Sequence, residues 1–210
     1  MALAKLRYQD LVFINCPFDP GYLPILRAII FTIYRCGFSP ISALSYDNGT
    51  QNRLEKINQC IASAQFGIHD ISNIRLSKNK FPRFNMPFEL GLFFGAKEFG
   101  GKLHQTKNAI IFDSSRYRYL QFISDLNGVD IKAHRNSAKN VIKHIRNWLR
   151  TASKRNDLPG AIIMQNEYKK IARTIPALAK EMGEKPEDIP YNDYCAIMES
   201  AVKKIRIAKL

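Results

Sequence analysis

One carboxylate, Glu89, stands in the otherwise apolar segment Phe84-Asn-Met-Pro-Phe-Glu-Leu-Gly-Leu-Phe-Phe-Gly-Ala96. Pro87 suits the first turn of a helix, where its missing N–H costs nothing. The apolar residues that follow helical spacing are Met86, Leu90, Phe93 and Phe94. Because the helix dipole favours a glutamate in the first turn, Glu89 is either a capping carboxylate or a functional group. Its surroundings decide between the two.

Polar side chains come together where the predicted strands end. Asn15, Phe18, Asp19 and Tyr22 follow the first strand, and Asp70 and Ser72 end the third. The helix that carries Asn85 and Glu89 comes next along the chain. Ligands of open α/β sheets bind at the carboxyl ends of the strands, where the strand order reverses. We therefore predict one crevice between the first and third strands, with Glu89 in it.

Each of these residues also has a structural interpretation. Asp70 either holds ribose hydroxyls, orients Glu89 or caps the turn after its strand, and Phe18 and Tyr22 either stack on a base or plug the core. Arg53 and Arg83 are candidates for binding phosphate, or they face solvent. His69 precedes Asp70 in a strand, so its side chain points to the opposite face. We expect His69 to pack under a helix.

The strands and helices that position these residues alternate strictly through residue 152. The predicted strands are Leu11–Cys16, Ser39–Ser45, Phe66–Ile71, Asn108–Phe112 and Val129–Ala133. The predicted helices are Leu23–Arg35, Asn52–Ala64, the Glu89 helix up to Gly100, a short one over Tyr117–Leu126, and one that follows the N-cap Ser137. This alternation predicts an α/β, flavodoxin-like fold, with a five-stranded parallel sheet of order 2-1-3-4-5 and helices on both faces.

Apolar spacing predicts which helix faces are buried. The inward residues are Leu26, Ile29, Ile30 and Ile33 in the first helix, Leu54, Ile57 and Ile61 in the second, and Val141, Ile142, Ile145, Trp148 and Leu149 in the fifth. Gly91 and Gly95, four residues apart, predict that the Glu89 helix approaches a neighbour closely.

The C-terminal part differs in composition. A polar linker over 151–158 separates an α/β domain, residues 1–152, from a helical appendage, residues 156–210. Pro176, Gly183, Pro186 and Pro190 divide the appendage into short helices at about 161–174, 176–182 and 191–207. We expect this tail to form a small helical domain or to make the protein a homo-oligomer.

Several common chemistries lack their motifs. The chain has no G-x-G-x-x-G after the first strand, no G-x-x-x-x-G-K-[ST] and no G-x-S-x-G. These absences argue against a dinucleotide-binding oxidoreductase, a P-loop NTPase and an α/β-hydrolase. A single glutamate beside a polar crevice suits cleavage of an N-glycosidic bond, in which a carboxylate stabilises or traps the ribosyl cation. One carboxylate suffices when the leaving base is already cationic, as nicotinamide is.

Three segments, Val12-Phe-Ile-Asn-Cys-Pro-Phe-Asp19, Gly67-Ile-His-Asp-Ile-Ser72 and Phe84-Asn-Met-Pro-Phe-Glu-Leu-Gly91, together resemble bacterial TIR-like proteins. These proteins are relatives of TIR domains and of nucleoside 2-deoxyribosyltransferases. The resemblance covers about residues 10–150. It implies a flavodoxin-like fold and a helix-borne glutamate, here Glu89, that acts on the ribose of NAD or of a nucleoside. It also implies a setting in bacterial defence, with NAD as a possible substrate and no cofactor.

The net charge is +14, of which residues 1–152 carry +11, from 21 basic and 10 acidic residues. This excess fits a nucleotide ligand. The charge is dispersed, so we expect nucleic acid to bind only non-specifically. Cys16, Cys36, Cys60 and Cys195 show no metal-ligand spacing, which predicts reduced core thiols and no metal. No apolar run is long enough to span a membrane, and no signal-peptide core is present, so we expect a cytoplasmic protein.

Three functions remain open from the sequence. The first is an enzyme, an N-ribosyl hydrolase acting through Glu89 and Asp70. The second is a non-catalytic nucleotide-sensing or scaffold module that uses the same crevice. The third is a protein that binds nucleic acid through its positive charge. Such a protein is expected to carry its basic residues in a clustered stripe, whereas the charge here is dispersed.

Overall fold

The computed structural model describes residues 6–73 and 84–208. The strands are β1 Leu11–Asn15, β2 Ser39–Ile41, β3 Phe66–Asp70, β4 Asn108–Asp113 and β5 Lys132–Ala133. The α-helices are α1 Leu23–Arg35, α2 Arg53–Ser63, α3 Asn85–Phe99, α4 Lys102–Gln105, α5 Ala138–Ala152, α6 Ala161–Glu181 and α7 Tyr191–Ile207. Short 3-10 turns occupy Tyr8–Asp10, Pro20–Tyr22, Ala43–Ser45, Arg118–Gln121 and Ser124–Leu126.

The five strands form one parallel sheet of order β2-β1-β3-β4-β5. This order confirms the predicted flavodoxin-like α/β fold. In the register, Asn15 lies beside His69 and Asp70 beside Phe112. The central strands β1 and β3 are buried along their whole length, as their continuous apolar sequences predict.

The contacts divide the chain into two compact units. The first comprises the described residues of 1–17 and 41–136, and the second comprises those of 18–40 and 137–210. In the first unit, α2 and α3 pack on β1, and α3 also packs on β3. In the second unit, α6 and α7 contact α1, and α6 also contacts α5. The predicted domain boundary near residues 152–156 stays a prediction.

Several boundaries differ from the predictions. The second strand ends at Ile41, the fifth is two residues long, and two 3-10 turns replace the helix predicted over Tyr117–Leu126. Helix α6 continues through Pro176, because Ile171, Ile175 and Ala179 carry one buried stripe past it. Burial of this stripe outweighs the hydrogen bond that proline removes.

The prediction that Leu54 faces inward is also wrong. Leu54 is largely exposed, because it lies in the first turn of α2, while Ile57 and Ile61 are buried as predicted. A Cβ atom added at Gly91 or Gly95 would meet nothing within 4 Å among the described residues. Neither glycine therefore allows a close approach of α3 to another described helix. Trp148 is only partly buried, whereas the other inward residues of α5 are fully buried. All four cysteines are buried and free, as expected.

A buried cation caps helix α2. Lys107, which is 1% exposed, donates from Nζ to the backbone oxygens of Ile61 at 2.5 Å and Ala64 at 2.6 Å. These are carbonyls at the C-terminal end of α2, where a helix favours positive charge. The same Nζ lies 4.7 Å from the ring centroid of Phe93 in α3. Lys107, which directly precedes β4, therefore joins that strand to the C-terminal end of α2 and to the middle of α3.

We expect Lys107→Met to lower the free energy of unfolding by about 2 kcal/mol at pH 7, because both carbonyls lose a buried partner. Burial lowers the pKa of Lys107 to about 8, so the unfolded chain binds more protons between pH 8 and the ordinary lysine pKa of 10.5. The free energy of unfolding of the wild type should therefore increase as pH rises through that window. Urea titrations test both effects, with Lys102→Met on exposed α4 as the matched control. An unchanged stability of Lys107→Met would contradict the capping role.

Candidate active site at the carboxyl ends of β1 and β3

Helix α3 carries Glu89 in its second turn. The helix begins at Asn85 rather than at Pro87, so Glu89 is its fifth residue and no acidic side chain lies in the first turn. The capping interpretation of Glu89 is therefore wrong. Leu90 and Phe93 are buried beside it, which anchors the helix on β1 and β3. Glu89 itself is 3% exposed.

The counter-charge of Glu89 comes from α2. Arg53 Nη2 donates to Glu89 Oε1 at 3.3 Å. Arg53 is the first residue of α2, after a capping box in which Asn52 and Glu55 exchange side-chain and backbone hydrogen bonds. The Arg53 side chain is 47% exposed, against 4% for that of Glu89. The pair thus joins a buried anion to a solvent-accessible cation.

The protonation equilibrium of Glu89 reflects this setting. Burial raises the pKa of its carboxyl above the ordinary glutamate value, and the charge and hydrogen bond of Arg53 oppose that rise. An ionised carboxylate in a poorly hydrated position gains free energy from any positive charge placed beside it. Glu89 is therefore suited to stabilise a cation that forms during a reaction.

Asn15 and His69 hold the start of α3 against the sheet. Asn15 Nδ2 donates to the Met86 carbonyl at 3.0 Å and lies 3.0 Å from Nδ1 of His69. The His69 ring packs edge-on against Phe93, with centroids 4.8 Å apart. Burial, and then the charge of Lys107, lowers the pKa of His69 to about 3. His69 is thus neutral and packs under a helix, as predicted, while Asn15 positions the helix of Glu89.

Asp70 is buried at the end of β3, and each of its carboxylate oxygens lies close to a polar group. Its Oδ1 accepts a hydrogen bond from the backbone N–H of Ser72 at 2.8 Å. Asp70 thus caps the turn after its strand, which is one of the roles predicted for it. Its Oδ2 lies 3.1 Å from Nε2 of His134. His134 Nδ1 accepts a hydrogen bond from the backbone N–H of Asn136 at 2.9 Å, which fixes the orientation of the ring.

His134 is a residue that sequence reasoning missed. It directly follows β5, and the turn after it places Arg135 and Asn136 in the left-handed region, at φ 52° and 51°. Such backbone strain is typical of functional sites. The rule that identified Asp70, a polar residue at a strand end, would also have identified His134.

The Cys16 thiol experiences the charges of three of the predicted site residues. Cys16 directly follows Asn15 and is fully buried. Burial, together with the charges of Asp70 and Glu89, raises the pKa of the Cys16 thiol well above its usual range, while Arg53 opposes this. Asp70, Glu89 and Arg53 therefore all act on one thiol, which stays neutral.

A second arginine fixes the neighbouring strand ends. Arg118 donates to Asp113 Oδ1 at 2.8 Å and to the Ser72 and Ile71 carbonyls at 2.8 and 3.2 Å. It ties the end of β4 to the chain that leaves β3. The neighbouring Tyr119 is buried.

The remaining predicted site residues are placed as follows. Asn85 is the exposed first residue of α3, and Ser72 is partly buried at the turn after β3. Phe18, Asp19 and Tyr22 belong to the second unit, where Tyr22 is buried and the other two are partly exposed. Arg83 lies outside the described residues. The structure thus brings together Asn15, Arg53, Asp70, Ser72 and Glu89 within the first unit.

No protein-family model, curated protein or solved structure matches this chain. Within residues 6–73 and 84–208, no group of three or more His, Cys, Asp or Glu side chains is arranged to hold a metal ion. Over the same residues, no helix is long and apolar enough to cross a membrane.

Proposed function

We propose that this protein is a nucleotide N-ribosyl hydrolase, similar to NAD glycohydrolases, and that Glu89 is its catalytic carboxylate. The supporting observation is the pairing of Glu89, 3% exposed, with the half-exposed Arg53 at the switch point of a parallel sheet. A buried anion with a displaceable counter-charge, at the edge where such folds bind ligands, is typical of a reacting group. The TIR-like motifs support the same proposal, as does the bacterial defence setting that they imply.

The proposed reaction breaks the bond between ribose C1′ and the nitrogen of the base. The bonding electrons leave with the base, so positive charge develops on C1′ and the ring oxygen, and water then adds to C1′ and loses a proton to solvent. A carboxylate beside C1′ stabilises this charge electrostatically. A cationic nicotinamide departs as a neutral molecule and needs no general acid, so Glu89 can perform its role alone.

Asp70 has a supporting role in this proposal. With His134 and Ser72 as partners, it fixes the end of β3 and adds negative charge near Cys16 and Glu89. Negative charge near the reacting centre favours a ribosyl cation. Asp70 thus assists Glu89 without having to touch the substrate.

Incubation of the concentrated protein with NAD, nicotinamide mononucleotide and common nucleosides tests the proposal. We expect chromatography to detect free base, with activity that falls as pH drops through the raised pKa of Glu89, because protonation removes the required charge. The acidic limb should lie above the ordinary glutamate value of 4.5. Binding without any release of base would favour the sensor function instead.

One observation favours that second candidate, an assembling sensor or scaffold. Within the second unit, a cavity of about 1100 Å³ lies between α6 and α7 and is lined mainly by apolar residues such as Ile163, Ile171, Leu178, Ile197 and Ile205. An apolar groove of this size suits a protein interface.

The basic charge gives little support to nucleic-acid binding. Among residues 6–73 and 84–208, the cations that donate hydrogen bonds to backbone carbonyls include Arg27, Lys107, Arg118, Arg146, Arg155 and Arg206. Arg155 and Arg206, for example, bind the carbonyls at the C-terminal end of α1, where the helix dipole favours cations. Part of the excess charge therefore stabilises the fold.

A further inference from the structure

The contact between Arg53 and Glu89 is asymmetric. It is a single hydrogen bond of 3.3 Å, from a guanidinium that is 47% exposed to a carboxylate that is 4% exposed. Arg53 has no other hydrogen-bond partner within residues 6–73 and 84–208. Most of its donors therefore make no hydrogen bond to the described residues, while Glu89 is held in place by its helix.

A guanidinium binds phosphate more favourably than it binds one carboxylate oxygen at this distance. Its planar donors match two oxygens of a phosphate at once, and a phosphate carries more charge than a carboxylate. A phosphate brought beside Arg53 would therefore compete with Glu89 for it. Since Arg53 is exposed and on the first turn of α2, its side chain can turn toward such a ligand without unpacking the core.

We propose that Arg53 binds the 5′-phosphate of the substrate, that this separates Arg53 from Glu89, and that the protein therefore prefers nucleotides to the corresponding nucleosides. The inference rests on the proposed function, because it places the ribose of the substrate against Glu89. The 5′ carbon is attached to C4′, and C4′ is separated from C1′ by the ring oxygen alone. A residue that contacts Glu89 is therefore near the 5′-phosphate when Glu89 faces C1′. Loss of the Arg53 contact leaves the full negative charge of Glu89 opposite the developing cation.

Nicotinamide mononucleotide and nicotinamide riboside form a matched pair of probes, because they share one leaving group and differ by one phosphate. We expect the wild type to show a kcat/KM for the mononucleotide about 10- to 100-fold above that for the riboside, the range typical of a charged hydrogen-bonded contact. In Arg53→Ala this ratio should approach one, and Arg53→Lys should restore part of it. Lys56→Ala, three residues further along α2, should leave the ratio unchanged.

Binding provides a readout that is independent of turnover. In Glu89→Gln, calorimetry should show tighter binding of the mononucleotide than of the riboside, and adding Arg53→Ala should abolish the difference. If the wild type cleaves neither probe but this preference in binding depends on Arg53, the phosphate site stands and the proposed hydrolysis fails. If both are cleaved and the ratio is the same in wild type and Arg53→Ala, the hydrolysis stands and this inference is wrong.

Discussion

Replacing Glu89 with glutamine should lower turnover about 1,000-fold while the protein stays folded, because the substitution removes the charge that opposes the ribosyl cation. The glutamine keeps the volume of the side chain and a hydrogen-bonding oxygen, so substrate affinity should change little. Steady-state kinetics with nicotinamide mononucleotide or NAD measures this effect. Glu98→Gln, at an exposed position near the C-terminal end of α3, provides a control for removing one carboxylate from the same helix.

The stability of Glu89→Gln separates a catalytic carboxylate from a structural one. The folded-state pKa of Glu89 is raised, so the folded protein binds more protons than the unfolded chain at pH values between 4.5 and that raised pKa. The free energy of unfolding therefore falls as pH rises through this window. Above it, the ionised carboxylate costs stability, and we expect Glu89→Gln to unfold at the same or a higher urea concentration. A clear loss of stability would indicate a structural role.

Gly67→Ala should lower the free energy of unfolding by about 3 kcal/mol, the upper end of what overpacking a core usually costs. A Cβ atom at this position of β3 would lie 2.7 Å from His69 Nε2 and 2.9 Å from the Phe93 ring. Both side chains are fully buried and pack α3 against the sheet, so neither can move without disturbing the helix that carries Glu89. Chemical denaturation measures the loss.

Gly95→Ala provides the matched control for that substitution. A Cβ atom there meets nothing within 4 Å among the described residues, and alanine has the higher helix propensity. We expect Gly95→Ala to stabilise the protein by about 0.5 to 1 kcal/mol. If both substitutions changed the free energy of unfolding equally, the lack of space around Gly67 would not be the cause of the loss of stability.

The fold could be predicted because each element carries its own pattern. The apolar runs of β1 and β3 indicate buried parallel strands, and the alternation of strands with helices limits the possible sheet orders. The same topology also predicts that Asn15 and Asp70 end neighbouring strands. The 3-10 turns after β4 and the continuation of α6 through Pro176 depend instead on tertiary packing, which local sequence does not encode.

The site could be predicted only in part. Strand-end polarity identified Asn15, Asp70 and Ser72, and the isolated carboxylate identified Glu89. The ion pair of Arg53 with Glu89 joins residues 36 positions apart, and the contact of His134 with Asp70 joins residues that no sequence period relates. Both depend on how the carboxyl ends of the strands meet, so they emerge only from the folded chain.

Hydrolysis of nicotinamide mononucleotide in H₂¹⁸O, followed by mass spectrometry of the ribose phosphate product, tests the central claim most directly. If Glu89 stabilises a cation at C1′ that water then captures, the wild-type product should contain one ¹⁸O atom on the sugar and the released nicotinamide none. The Glu89→Gln protein at equal concentration should form almost no product. Absence of labelled ribose phosphate from the wild type, or equal product from wild type and Glu89→Gln, would contradict the assignment of Glu89 as the catalytic carboxylate.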